Sequence, residues 1–263
     1  MDGKTQTLAK KVYKLQNAIV RELNDAHIFL EQATPFLEEA KEAFARSESD
    51  TDRRYYVPSV GRTSVAERTD RELKAIYDGY LKDGLCKSFL VSVLSRFEAF
   101  LSDVLAAVLQ TYPQKITIRV QDIPACPAVS PTEVFSAADK SQLVNQIIRE
   151  HLVSVFRQRP KAYLAYACAL IGCEEDVSFR DYFEIAATRD LIVHNDLIVN
   201  QLYIDKVGDR ARGSPGDRLT VERPYFYDSL ARMKKVSGAI KREVESRFGS
   251  QTKAAEAPKN KQP

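Results

Sequence analysis

An arginine and a histidine stand five positions apart in the largely apolar segment 188–200. On an ideal helix Arg189 and His194 are therefore about 140° apart around the axis, too far for an ordinary i,i+4 surface pair. An arginine offers a phosphate a fixed charge and a fork of donors, and a neutral imidazole can move protons near neutral pH. With Asp190 beside the arginine, the pair predicts chemistry on a phosphate group.

Two predicted helices must position these side chains. Ser178 is a candidate cap for a helix that runs through the arginine and the histidine, and Asn195 and Asp196 are poor helix formers that should bend or end it. An apolar stripe over 90–108 predicts a central helix packed on several partners. Glu98 lies beside that stripe, and two interpretations stay open: a solvated carboxylate, or one that points at a polar centre.

The N-terminal part of the chain has its own pattern. Residues 4–46 repeat apolar side chains every three or four positions, which predicts helix, and Thr34 and Pro35 predict a break in it. The chain would then begin as a long helical hairpin or a kinked arm.

Residues 47–68 lose this periodicity and are rich in Ser, Asp, Arg, Pro and Gly, which predicts a loop or linker. Arg53 and Arg54, followed by two tyrosines, could hold single-stranded nucleic acid by charge and stacking, although we favour a solvated loop that the tyrosines anchor. Residues 1–69 are thus predicted to be a helical segment and linker.

Helical patterns continue after the central helix. They cover 139–156, 161–171 and 224–248, and a basic, glycine-containing loop at 208–218 precedes the last of them. We therefore expect one helical domain over 70–248, followed by a polar, disordered tail at 249–263.

Composition agrees with an all-α fold. The chain has 263 residues, 44% of them hydrophobic and 29% charged, with ten glycines and no tryptophan. The net charge of +3 is mildly basic and does not by itself indicate nucleic-acid binding. The N-terminus lacks the apolar core of a signal peptide, and no apolar run is long enough to span a membrane, so we expect a cytoplasmic protein.

The four cysteines and the two other histidines are predicted to be structural. No two cysteines form a CxxC, and no histidine stands near them at metal-ligand spacing, so we expect reduced thiols and no metal site. His27 has no catalytic neighbour nearby in sequence, and His27 and His151 are both expected to be packed or solvated.

The segment that begins at Arg189 resembles the R-[ND]-xxx-H signature of HEPN domains, which are compact helical bundles of RNA-processing, toxin and phage-defence proteins. Residues 88–109 are similar to the central helix of that family, and residues 189–203 resemble its RiboL-PSP-HEPN branch. The resemblance covers about 70–248 and implies an HEPN-like bundle that carries the N-terminal hairpin or arm.

The resemblance also implies an activity. Arg189 and His194 would be the catalytic pair of a metal-independent endoribonuclease that leaves a 2′,3′-cyclic phosphate, with Asp190, Glu98 and Asn195 in supporting roles. Arginines of the two loop segments are candidate RNA contacts: Arg53, Arg54, Arg210 and Arg212. No cofactor is expected.

The implied partners are RNA, a second copy of the chain, and a cognate antitoxin or defence partner protein. In such domains two protomers usually bring both motifs to one cleft, so that the arginine and the histidine need not converge within one helix. HEPN toxins that pair with a nucleotidyltransferase antitoxin carry a tyrosine two residues after the histidine, and this chain has Asp196 there. Inhibition of this chain by a nucleotidyltransferase antitoxin is therefore in doubt.

Two other functions stay open. The domain could be a non-catalytic HEPN module for dimerisation or RNA binding, or an unrelated helical interaction protein. In the latter, Arg189 would pair with Asp190 or Glu184 and His194 would be a polar residue at a helix end.

Overall fold

The computed structural model describes residues 8–47 and 53–248, whose regular elements are helices apart from one two-stranded sheet, and this confirms the predicted all-α class. The predicted tail at 249–263 lies outside the described residues. The helices are α1 (Leu8–Arg46), α2 (Asp70–Gly79), α3 (Leu85–Thr111), α4 (Pro131–Ser136), α5 (Lys140–Phe156), α6 (Pro160–Ile171), α7 (Ser178–His194), α8 (Gln201–Val207) and α9 (Arg223–Phe248). One continuous core draws buried apolar side chains from α1, α3 and α5 to α9.

The N-terminal helix α1 continues through Pro35 without interruption. The predicted break, and with it the helical hairpin, is wrong, whereas a long N-terminal helix is confirmed. A proline inside a helix removes one backbone hydrogen bond and costs about 3 kcal/mol. Burial offsets this cost, because Leu23, Leu30 and Thr34 are buried where α1 packs along α3 and α9. Tertiary packing therefore overrides the local signal.

The segment predicted as an irregular loop contains a β-hairpin, so that prediction is wrong for residues 53–68. Strands β1 (Arg53–Ser59) and β2 (Arg62–Arg68) pair antiparallel, with Ser59 opposite Arg62. Gly61 in the two-residue connection has φ 71°, a conformation that glycine adopts without steric cost. Most side chains on both faces are exposed, so the apolar-polar alternation that predicts strands is missing.

The central helix α3 has the predicted apolar stripe as its buried surface. It packs against α1, α5, α6, α7 and α9, which explains why apolar side chains surround most of its circumference. The buried residues are Cys86, Leu90, Val93, Leu94, Phe97, Phe100, Leu101, Val104, Leu105, Ala107, Val108 and Leu109. This confirms the predicted core helix, which also carries Glu98 at a half-buried position.

A short helix and a bridged loop follow α7. Helix α8 has no counterpart among the predicted helices. Asn200 caps it by accepting a hydrogen bond from the backbone N–H of Tyr203 at 2.9 Å. Backbone hydrogen bonds from Val199 N to Asp217 O (2.8 Å) and from Leu219 N to Leu197 O (2.9 Å) fix the loop against the end of α7. The end of α7 is therefore held by this loop and by α8, which packs against α7.

Candidate active site

Helix α7 carries Arg189, Asp190 and His194. At its start the Asp176 carboxylate accepts hydrogen bonds from the backbone N–H (2.8 Å) and the hydroxyl (2.6 Å) of Ser178, and these bonds lower the pKa of Asp176. Ser178 is thus the first residue of α7, whereas the sequence predicted that it would be the cap before the helix.

The helix ends at His194, as Asn195 and Asp196 predicted. The backbone N–H groups of Asn195 and Leu197 both donate to the carbonyl of Leu191, each at 3.0 Å. Asp196 and Leu197 have φ values of 46° and 62°, which are uncommon for residues other than glycine. Leu197 is buried, so core packing holds this tight turn and leaves His194 at an exposed helix end.

Two carboxylates hold Arg189. Its Nη2 donates to Glu98 Oε1 on α3 at 2.8 Å, and its Nε lies 3.5 Å from Asp190 Oδ1. That Nε is buried and has no hydrogen bond, although the side chain as a whole is 25% exposed. No partner for Nη1 lies within the described part of the chain. Arg189 therefore combines a structural ion pair with donor capacity that the protein leaves unused.

Glu98 points at a polar centre, which was one of the two interpretations of its position. Desolvation raises the pKa of the Glu98 carboxyl, and the charge of Arg189 opposes this shift. Tyr163 also lowers the pKa of the Glu98 carboxyl, and the hydroxyls of Tyr163 and Tyr182 lie 2.7 Å apart. Arg189 thus connects α7 to a buried polar cluster formed by α3, α6 and α7 itself.

His194 lines a pocket of about 310 Å³ together with Asp190, Asn195 and Lys206. Lys206 on α8 donates to Asp190 Oδ2 at 2.7 Å, and the side-chain amide of Asn195 donates to the carbonyl of Ile198 at 2.5 Å. Within residues 8–47 and 53–248, His194 has no hydrogen-bond or ion-pair partner. Its ring nitrogens are therefore free for a ligand in this pocket.

Arg189 is not among the residues that line the His194 pocket. Asp190 links the two, because one of its oxygens faces Arg189 and the other binds Lys206 at the pocket wall. Glu98 lines a different cavity, of about 590 Å³, between α3 and α5. Within one chain Glu98, Arg189, Asp190 and Lys206 therefore form a continuous series of ion pairs. The predicted site residues do not line a single cleft.

The arginines that were predicted to contact RNA all form ion pairs. On the hairpin and on the 208–218 loop these pairs are Arg53–Asp70 (2.5 Å), Arg54–Glu67 (2.9 Å), Arg210–Asp181 (2.9 Å) and Arg212–Glu184 (2.8 Å). Arg54 is 76% exposed, so its guanidinium can still reach a phosphate, whereas Arg212 is 25% exposed and mostly engaged inside the fold.

The buried carboxylate of Glu184 organises the region beside the site. The sequence predicted Glu184 only as an alternative partner of Arg189. Glu184 is 5% exposed and accepts hydrogen bonds from Thr188 (2.7 Å), Tyr203 (3.1 Å), Arg212 (2.8 Å) and Tyr225 (2.9 Å). The apolar residues 185–187 that follow Glu184 indicate that it is buried. Its hydrogen-bond partners could not be predicted, because most of them come from distant segments of the chain. Glu184 thus joins α7, α8, the 208–218 loop and α9.

The other two histidines have packed positions. His27 stacks edge-on against Tyr227, with ring centroids 4.3 Å apart. His151 is 1% exposed, its Nε2 lies 2.9 Å from the Tyr166 hydroxyl, and burial lowers its pKa.

Two kinds of feature are absent from residues 8–47 and 53–248. No group of three or more His, Cys, Asp or Glu side chains is placed to hold a metal ion. None of the helices there combines the length and the apolar character needed to cross a membrane. Comparisons of the chain with protein-family models, with curated proteins and with solved structures found no match.

Proposed function

We propose that this chain is a metal-independent endoribonuclease of the HEPN type, a cytoplasmic toxin or phage-defence effector. The observation that carries the proposal is the position of His194, an exposed imidazole without a protein partner, in a pocket beside Asp190 and Lys206. An imidazole that is free to exchange protons, five residues after an arginine with unused donors, suits proton transfer next to a phosphate.

The proposed reaction is an internal transesterification. His194 takes the proton from a ribose 2′-OH, and the oxygen attacks the neighbouring phosphorus while the bond to the 5′ oxygen breaks. The leaving 5′ oxygen takes a proton from water. Arg189 stabilises the charge that develops on the phosphoryl oxygens, and its ion pairs with Glu98 and Asp190 hold the guanidinium in place. The products are a 2′,3′-cyclic phosphate and a 5′-hydroxyl.

The test is cleavage of RNA by the purified full chain in the presence of EDTA, with analysis of the product ends. We expect 2′,3′-cyclic phosphate termini and no effect of the chelator. Absence of cleavage on every RNA tested would favour a non-catalytic HEPN module. That alternative draws support from the ion pairs of Arg189, which suit a structural role as well as a catalytic one.

A homodimer is part of the proposal, because within one chain Arg189 does not line the pocket that contains His194. Leu202 (48% exposed) lines this pocket, Val193 (50%) precedes His194 in the chain, and the backbone of Ile198 (41%) accepts a hydrogen bond from Asn195. Exposed apolar side chains that cluster on one surface are typical of protein interfaces. A second copy related by a two-fold axis would cover them on both protomers.

Light scattering is expected to give twice the chain mass of 29.7 kDa. Leu202→Asp should produce the monomer, since it places a charge in the proposed interface. Phe36→Asp changes a side chain that is 72% exposed on α1 and should leave the dimer intact. A monomeric wild type at micromolar concentrations would contradict the prediction.

The β-hairpin is the proposed surface for unpaired RNA. Tyr56 is 81% exposed, and Arg54 lies on the same face of the hairpin. Stacking of a base on an aromatic side chain contributes about 1–3 kcal/mol, so Tyr56→Ala should weaken binding of a single-stranded oligonucleotide on the order of 5- to 150-fold.

Binding is measured by fluorescence anisotropy with His194→Ala as the parent, so that the RNA stays intact. Tyr80→Ala is the control, because Tyr80 is 55% exposed but lies outside the hairpin. Equal affinities for both tyrosine variants would remove the hairpin from the RNA surface.

A further inference from the structure

The C-terminal end of α6 brings two cysteines together. Gly172 has φ 84°, and the backbone N–H groups of Gly172 and Cys173 both donate to the carbonyl oxygen of Cys168, at 2.7 and 3.0 Å. At helix ends of this type, the residue after the left-handed glycine contacts the residue four positions before that glycine. Both of these residues are cysteines here, so the backbone geometry sets their thiols against each other.

The two thiols share one environment. Cys168 and Cys173 line the same cavity of about 350 Å³, with Glu243 and Arg247 on its wall, and each thiol shifts the pKa of the other. Cys168 is buried, and its Sγ lies 3.6 Å from the carbonyl oxygen of Glu174. Cys173 is only half-buried, so a small oxidant can reach its sulfur from solvent.

The interaction between the two thiols shifts their pKa values in opposite directions. The Cys168 thiol stabilises the Cys173 thiolate, which lowers the pKa of Cys173 and raises the pKa of Cys168. The thiolate is the reactive form of cysteine. Cys173 is therefore the nucleophile of the pair. Cys168 is the neighbouring thiol that can attack the Cys173 sulfur after that sulfur has been oxidised.

We propose that Cys168 and Cys173 form a reversible disulfide when the protein meets a peroxide. The Cys173 thiolate attacks one oxygen of hydrogen peroxide, the O–O bond breaks, and the products are a sulfenic acid and hydroxide, which takes a proton to become water. The Cys168 sulfur then attacks the Cys173 sulfur, a second water leaves, and the disulfide forms. The two cysteines lose two electrons, which reduce the peroxide to two waters.

The other two cysteines are internal comparators. Cys86 is buried, Cys126 is half-buried, and desolvation raises the pKa of both thiols. Cys126 and Cys173 are both half-buried, but no second cysteine within the described residues shifts the pKa of Cys86 or Cys126. Exposure alone would oxidise Cys126 and Cys173 alike, whereas the proposed pair makes Cys173 the more reactive.

The test is peroxide treatment of the folded full chain, followed by alkylation of free thiols in denaturant and tryptic mass analysis. Cleavage after Lys161 and Arg180 places Cys168 and Cys173 in one peptide, 162–180. We expect this peptide to escape alkylation, to be about 2 Da lighter than its dithiol form, and to regain both alkylation sites after a thiol reductant.

Variants and unfolded protein complete the design. Cys173→Ser should leave Cys168 open to alkylation, Cys126→Ser should leave the disulfide unchanged, and wild type in urea should form it more slowly. The proposal is overturned if both thiols of 162–180 stay free at a peroxide dose that oxidises Cys126. It is also overturned if Cys173 is over-oxidised without a disulfide. None of these outcomes depends on the proposed ribonuclease function.

Discussion

Replacing His194 with alanine is expected to lower the rate of RNA cleavage by a factor on the order of 10² to 10⁴, which is the usual effect of removing a general base. His194 is exposed and has no hydrogen-bond or ion-pair partner within the described ranges, so the melting temperature should not change. The measurement is the initial rate at which 2′,3′-cyclic phosphate ends appear, in EDTA and with enzyme in excess over RNA.

His27→Ala is the matched control for this substitution. His27 is also a histidine with a partly exposed ring, but it packs against Tyr227 and has no role in the proposed reaction. We expect His27→Ala to cleave at the wild-type rate. A His194→Ala variant that retains full activity would exclude His194 as the base.

Arg189 requires a different design, because its guanidinium also neutralises Glu98. Arg189→Ala should abolish cleavage, but it also leaves a partly buried carboxylate without its cation, which destabilises the fold. The double variant Arg189→Ala/Glu98→Gln removes that unpaired charge. It should recover the melting temperature lost by the single variant and remain inactive. Recovery of activity together with stability would assign Arg189 a purely structural role.

Features that depend on neighbouring residues could be predicted from the sequence. The turn after His194 follows from Asn195 and Asp196, and the end of α6 follows from Gly172, because each signal acts within one helical turn. The stripe over 90–108 also identified the core helix, since burial on several sides requires a wide apolar surface.

Features that depend on distant packing could not be predicted in this way. The pair between Arg189 and Glu98 joins residues 91 positions apart, and α1, which continues through Pro35, packs its buried face on α3 and α9. The hairpin at 53–68 lacks the apolar alternation of a strand because both faces are largely exposed. In each case the deciding contacts are absent from the local sequence.

Glu184→Ala is expected to lower the free energy of unfolding by about 3–5 kcal/mol, because it removes one partner of a buried ion pair. The variant would leave Arg212 without its carboxylate and the hydroxyls of Tyr203 and Tyr225 without their acceptor. Arg212 also stacks on Tyr225, with its guanidinium carbon 3.6 Å from the ring centroid, and donates to the carbonyl of Thr220 at 3.0 Å. The loss is a large part of the roughly 5–15 kcal/mol that stabilises a typical protein.

Urea denaturation of matched variants would measure this effect. Glu245→Ala removes a carboxylate that is 40% exposed and lies 3.6 Å from Lys241, so its free energy of unfolding should stay within about 0.5 kcal/mol of wild type. Glu184→Gln keeps the side-chain volume and one acceptor oxygen, so its loss should fall between those of the two alanine variants. If Glu184→Ala is no less stable than Glu245→Ala, the buried network does not hold α7, α8 and α9 together, and the geometry of the His194 pocket must depend on the apolar core alone.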